Sequence, residues 1–247
     1  MDSREQNKTP RRVFLSAELR NLLLLNYEVD PQLLMKYVPS GTEIDSFAGK
    51  TYISLVGFNF LHTKLFGVCV IPFHSDFDEV NLRFYVRRRE GRTMRRGVVF
   101  IREIVPKWAI AKIARLAYGE NYVRHPMKDF IKVDATGLTV QYQWKVNHRW
   151  CSLFGHATET PRQPGEGSLE QFITEHYWGY AKRAHDTVEY EVAHVPWKIW
   201  SAAKAVFEGD ADSDYGAEFS HILQNPPASA FIAEGSKISV FSGRRFS

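Results

Sequence analysis

From Glu79 to Arg87 polar and apolar residues alternate without a break. Glu79, Asn81, Arg83, Tyr85 and Arg87 fall on one side, and Val80, Leu82, Phe84 and Val86 on the other, which is the period of a β-strand. A basic stretch, Arg88–Arg96, turns the chain, and Gly97–Val105 returns as a second strand that Pro106 ends. If Asn81 opposes Glu103 in this hairpin, Glu103 stands diagonal to Arg83. A slip of one residue would put Arg102 there instead.

The same pattern organises the rest of the chain. Residues 1–11 read as a loose polar tail ahead of one domain spanning 12–247. The apolar run in LRNLLLLNYEV fits a strand at about Arg20–Glu28, because Asp30-Pro31 starts a fresh short helix, Gln32–Val38. Thr42–Asp45 and Lys50–Leu61 read as strands, the second apolar enough to be covered on both faces. Phe66–Phe73 is a connection, Trp108–Tyr118 an amphipathic helix stopped by Gly119. Phe130–Asp134, Leu138–Val146 and Ser152–His156 are successive strands, and PRQPGEG at 161–167 is a loop within the same domain. Ser168 caps a short helix with Gln171 in capping-box position. Strands His176–Lys182 and Val188–His194 follow, then a helical Ser213–Leu223 and a final hairpin, Ala230–Glu234 with Lys237–Phe241. Many short strands with few helices define an α+β protein on a curved antiparallel sheet or barrel.

Composition adds bounds. The 247 residues are 44% hydrophobic and 24% charged with a formal charge of +4, as in ordinary globular proteins. Cys69 and Cys151 lack any CxxC spacing, so no disulfide framework or zinc site is expected, and a reducing cytoplasm is the default. No apolar run approaches the ~20 residues that span a bilayer, and no signal peptide opens the chain. The histidines show no metal-ligand spacing. Phosphate loops, a Rossmann fingerprint and GxSxG are missing too, so neither metal nor cofactor is expected.

The candidate chemistry gathers on the first hairpin. Its polar face either meets bulk solvent or lines a barrel interior, where Glu79, Asn81, Arg83 and Glu103 would converge on a ligand. Lys107, fixed behind Pro106, is a candidate nucleophile if burial lowers its pKa; otherwise it is a surface lysine at a helix start. His176 and Trp178, in His-Tyr-Trp-Gly-Tyr, are candidate pocket aromatics or plain core. The tip RRREGRTMRR reads as a solvated turn, the alternative being a salt-sensitive nucleic-acid contact.

EVNLRFYV, RRGVVFIREIVP, ENY at 120–122, HYWGY, VEYEVAHVPW and PPASAFIAEGSKISVF together resemble the YqjF-like uncharacterised family (domain of unknown function 2071). That family is grouped with the acetoacetate-decarboxylase-like superfamily. The resemblance covers nearly the whole chain from about Phe14 and implies a barrel with an interior cavity and a small carbonyl or acid ligand. It implies Lys107 as a Schiff-base lysine with Glu79 as acid/base, and adds Glu120 and Tyr122 to the ligand contacts Asn81, Arg83, Glu103, His176 and Trp178. Trp108 stands where the decarboxylases have a second lysine, and Glu28 where they have a substrate-binding arginine. The expectation is a small-molecule protein, either a Schiff-base lyase or a non-catalytic binding or sensing module. The resemblance also implies a possible homo-oligomer, with FSGRRFS as a candidate interface.

Overall fold

The computed structural model describes residues 12–69, 75–107, 119 and 121–247. In chain order β1 (Val13–Val29), a 3-10 helix (Pro31–Tyr37), β2 (Glu43–Ile44), β3 (Thr51–Leu65), β4 (Phe77–Glu90), β5 (Thr93–Val105) and β6 (Tyr122–Arg124) come first. Next come β7 (Met127–Asp134), β8 (Gly137–Val146), β9 (Arg149–Ala157), a short helix (Leu169–Thr174), β10 (Trp178–Lys182) and β11 (Thr187–Ala193). The remainder is β12 (Ile199–Ser201), β13 (Lys204–Glu208), helices Asp212–Tyr215 and Ala217–Leu223, β14 (Ser229–Ala233), β15 (Lys237–Phe241) and β16 (Arg244–Phe246). The expected helix at 108–118 lies outside the described residues, as do Glu120 and part of the 66–73 connection.

The pairings return on themselves. β1 pairs β15, β15 pairs β11, β11 pairs β10, β10 runs parallel to β5, β5 pairs β4, β4 pairs β3, and β3 pairs β1. A sheet closed in this way has an inside, and its strands alternate between inside and outside. β13, β9, β8 and β7 form a separate four-stranded antiparallel sheet. Its inner face, with Val140, Tyr142, Trp144 and Leu153, packs on the outward face of the ring, which carries Val80, Leu82, Phe84 and Val86. Each of these fully buried side chains contributes about 1.5–3 kcal/mol. Gly57 permits the close approach: a Cβ there would stand 2.4 Å from Tyr142 Cδ2.

The apolar run at the start is a strand, as its composition and the following helix signal require, but it begins earlier and runs Val13–Val29. Asp30 caps the next helix by accepting from Gln32 N at 2.9 Å. The expected final hairpin is not one. β14 and β15 pair with successive stretches of the same edge of β1, Leu22–Asn26 and Val13–Glu18, and not with each other. The link between them presses on β1: Leu19 N donates to Ser236 O at 2.9 Å, and Gly235 has φ +82° with its Cα against the Leu19 carbonyl. Only glycine tolerates both conditions, and in the sequence it looks like an ordinary hairpin turn. Ser213–Leu223 is likewise two helices, divided at Gly216.

The basic tip is solvated at its turn, where Arg89, Gly91, Arg92, Thr93 and Met94 are exposed, but not along its whole length. β4 and β5 continue to Glu90 and Thr93, and the side chains of Arg88 and Arg95 turn onto Glu189 of β11, whose own side chain is fully buried. Glu189 accepts from Arg95 at 2.7 Å, Arg244 at 2.6 Å, Tyr180 at 3.0 Å and Arg88 at 3.2 Å. The FSGRRFS segment is β16, paired with β11, and Arg244 belongs to that cluster.

Candidate active site

The hairpin takes the register that pairs Asn81 with Glu103. A bulge follows, so Arg83 opposes Phe100. Ile101 is the extra residue; it joins the outer core, and Arg102 beside it also lies away from the ring interior. The bulge therefore lets Phe100 and Glu103, three apart, face the same interior.

That interior holds a cavity of about 160 Å³ to which every strand of the ring contributes. Its wall is mostly apolar, with Leu19, Leu22, Phe58, Phe60, Phe100 and Trp197 prominent. Glu79, Asn81, Arg83, Glu103, Tyr122, His176 and Trp178, taken from the sequence as candidates, all line it. Thr174, Tyr190, His194 and Trp197 line it too and were missed. Tyr190 and His194 share the alternating face of the expected strand Val188–His194 with Val192, and both lie with Trp197 in VEYEVAHVPW, quoted only for its family resemblance; Thr174 carried no periodic signal. A dry cavity of roughly this size accommodates a benzene-sized molecule.

The polar groups cluster on β4 and its neighbours. Asn81 Nδ2 donates to Glu79 Oε1 at 3.0 Å, and the Tyr122 hydroxyl donates to Glu79 Oε2 at 3.3 Å. Burial pushes the Glu79 carboxyl up to about 7, against the opposing pull of Asn81, Tyr122 and the Arg83 charge. Burial likewise raises Tyr122 well above the usual phenol range, with the charges of Glu103 and Glu79 adding to it. His176 is pushed down to about 4 by burial and is neutral at pH 7. Its Nε2 lies 3.6 Å from Asp45 Oδ2, too long for a hydrogen bond, and neither ring nitrogen has a partner among the described residues.

Two more groups have unspent hydrogen-bonding capacity. Asn81 is 1% exposed and its Oδ1 is unpartnered. Arg83 has no ion pair or hydrogen bond to a described residue, its Nε is buried, and its only described contact of note is the Tyr85 ring, 5.9 Å from the guanidinium carbon. Buried polar groups in native proteins are nearly always satisfied, so these atoms are the hydrogen-bonding capacity the cavity wall leaves over among the described residues.

Lys107 is half-buried just past β5 and is not among the residues lining the cavity. Its charge acts on Asp78, whose carboxyl burial and Asp129 push up to about 6. Asp78 belongs to the opposite side of β4 from Glu79, where Asn59 Nδ2 donates to Asp78 at 2.9 Å and to Asp129 of β7 at 3.0 Å. Glu28 is exposed and paired with Lys50 at 2.7 Å, so it brings no negative charge to the cavity. Among the described residues no group of three or more His, Cys, Asp or Glu stands as a metal site, and no helix is long and apolar enough to cross a membrane.

A larger cleft of about 1210 Å³ lies outside the cavity. The segment Phe172–Trp178 divides the two spaces. Ile173, Thr174 and His176 face in, Phe172, Glu175 and Tyr177 face out, and Trp178 lines both. The guanidinium of Arg95 lies 4.2 Å over the Trp178 ring.

A ring of mostly antiparallel strands with few helices is the fold shared with acetoacetate decarboxylase-like proteins. The acetoacetate decarboxylase of Legionella pneumophila superposes with a TM-score of 0.69 at 13% identity, covering 98% of this chain and 93% of that one. The enduracididine biosynthesis enzyme MppR, complexed with pyruvate, does so at 0.64 and 14%, with 98% and 93% covered. At such identities the likeness establishes the fold. The family itself follows from sequence: the chain belongs to the DUF2071 family, described as an uncharacterized conserved protein, whose profile matches residues 16–237. The uncharacterized protein YqjF of Bacillus subtilis strain 168 is 26% identical over 186 residues, 74% of this chain and 73% of that one.

Proposed function

We propose that the chain binds a small organic acid in the ring cavity, with Arg83 taking the carboxylate and Asn81 and His176 completing its hydrogen bonds. The observation that carries this reading is the buried Arg83 Nε, unpartnered among the described residues, at an apolar-walled cavity of about 160 Å³. A carboxylate suits a guanidinium in geometry and charge. The raised pKa of Glu79 reduces the negative charge competing with the ligand. The bound pyruvate of MppR, a molecule of this size and class, is consistent with the same use of the fold.

Ligand-observed NMR with pyruvate, 2-oxobutyrate and acetoacetate tests the proposal. Arg83→Met is expected to weaken any binding at least tenfold; binding that survives unchanged overturns the role of Arg83. Schiff-base lyase chemistry predicts a borohydride-trapped adduct on Lys107 with the oxo acids. The position of Lys107 beside Asp78 favours simple binding, and no adduct is expected.

A further inference from the structure

We infer that the cavity also moves protons: His194 Nε2 acts as general base and the Glu79 carboxyl as its acid partner in the keto–enol interconversion of a 2-oxo acid. The inference rests on the organic-acid reading above and goes past binding to a reaction.

His194 is held more firmly than a wall residue requires. Its ring is stacked 4.2 Å from Trp197 on one side and 4.8 Å from Tyr177 on another, at interplanar angles of 21° and 35°. Trp197 is itself anchored, donating from Nε1 to Ser236 Oγ at 2.9 Å. His194 Nδ1 lies 2.9 Å from the Val195 carbonyl. A carbonyl only accepts, so Nδ1 carries the proton, and in the neutral ring Nε2 keeps its lone pair. With the rings packed on it and the Nδ1 corner spent on backbone, the Nε2 edge is what His194 has left to offer the cavity it lines. Nε2 has no hydrogen-bond partner among the described residues. Burial, helped by the Arg83 charge, holds the imidazole below its ordinary value and so neutral at pH 7.

Arg83 ties the two ends together. It lines the same cavity as Glu79, His176 and His194, and its charge bears on all three. His176, pushed down to about 4, is too weak a base to compete and remains a hydrogen-bonding group.

The step balances without a co-reactant. His194 Nε2 takes a proton from C3 of the 2-oxo acid, and the C3–H electron pair becomes the C2=C3 bond. The C2=O π pair moves to oxygen, which takes the proton of Glu79. Reversal restores the substrate, and in D2O it returns deuterium to C3. Charged or titratable groups facing the site are Glu79 and Arg83 of β4, Glu103 of β5, Tyr122 of β6, Tyr190 of β11 and His176. Exchange needs Glu79 protonated and His194 neutral, so its rate should fall as pH rises through about 7 and fall again in acid.

The experiment follows C3 proton loss from pyruvate and 2-oxobutyrate in D2O by 1H NMR with the full chain. Saturation transfer in the same sample reports binding separately. Expected is exchange well above the buffer rate, reduced by a factor on the order of 10²–10⁴ in His194→Gln with saturation transfer retained. His194→Ala should be partly restored by added imidazole, which a merely structural role would not allow. Glu79→Gln should abolish the fall near pH 7. Binding without exchange overturns the proton-transfer inference and leaves the organic-acid reading standing. Exchange unchanged in both His194 variants also overturns it. Binding of neither acid overturns both.

Discussion

The two ends of the β4–β5 hairpin treat buried charge in opposite ways. At the tip, Glu189 accepts from three arginines and a tyrosine, and Arg244 and Arg88 also reach Glu90. At the base, Arg83 has no carboxylate partner among the described residues, and Asn81 Oδ1 and both nitrogens of His176 are left over. Both clusters draw arginines from the same hairpin, but the tip adds Tyr180 of β10, Glu189 of β11 and Arg244 of β16, and the base adds His176. A saturated cluster has nothing to offer a ligand and holds strands in register. An under-satisfied one keeps hydrogen-bonding capacity that a ligand can use, which is the use proposed for it above.

Breaking the saturated end should have the largest effect. Glu189→Ala removes the buried acceptor shared by three arginines and Tyr180 and leaves the arginines only the half-buried Glu90, and unfolding in urea should show a loss of about 3–5 kcal/mol. A loss under about 1 kcal/mol would mean that the tip is held by its strands alone. Glu79→Gln comes next. Its carboxyl is raised from 4.5 to about 7 in the folded chain, so the folded state binds the proton more tightly than the unfolded one. The stabilisation is complete below about 4.5 and is lost as pH rises through about 7. The glutamine variant should therefore match wild type at pH 4 and exceed it at pH 8 by on the order of 3 kcal/mol. Unfolding followed against pH checks both the sign and the window. Arg83→Met should change stability by less than about 1 kcal/mol, because it removes a cation with no carboxylate partner among the described residues, while binding falls as stated above. The smallest effect belongs to the outer rim of the same strand: Arg87 pairs with Glu43 at 2.8 Å with both side chains exposed, and Arg87→Ala should cost under about 0.5 kcal/mol.

Much of the site was legible because a strand writes its faces into the sequence. The alternation from Glu79 to Arg87 separated the cavity residues from Val80, Leu82, Phe84 and Val86, and the register was one of two that the residues allowed. Which side was interior was not legible, since a solvent face and a cavity face look alike in period two; the family resemblance leaned toward the interior and the ring of pairings carries it. The bulge at Ile101 was invisible because no proline or glycine marks it. Glu189 could not be matched to Arg88, Arg95 and Arg244 from sequence, because the match depends on β10 lying parallel to β5. His194 continues the alternation of Tyr190 and Val192 and could have been read from it, whereas Trp197 lies beyond Pro196, where no period reports on orientation. Gly235 read as a turn residue because its need, close passage of the Leu19 carbonyl, exists only once β14 and β15 share an edge of β1.

That shared edge has a consequence for how the molecule is made. β1 finds β3 soon after synthesis, which covers one of its edges. The other edge, along Leu22–Leu25, has to wait for Ala230–Ala233 at the far end of the chain. Through most of translation a long apolar strand stands half-paired, the arrangement most open to mispairing with a neighbour. Closure of the ring is thus a late event of high contact order, and slow folding is built into the topology that encloses the cavity.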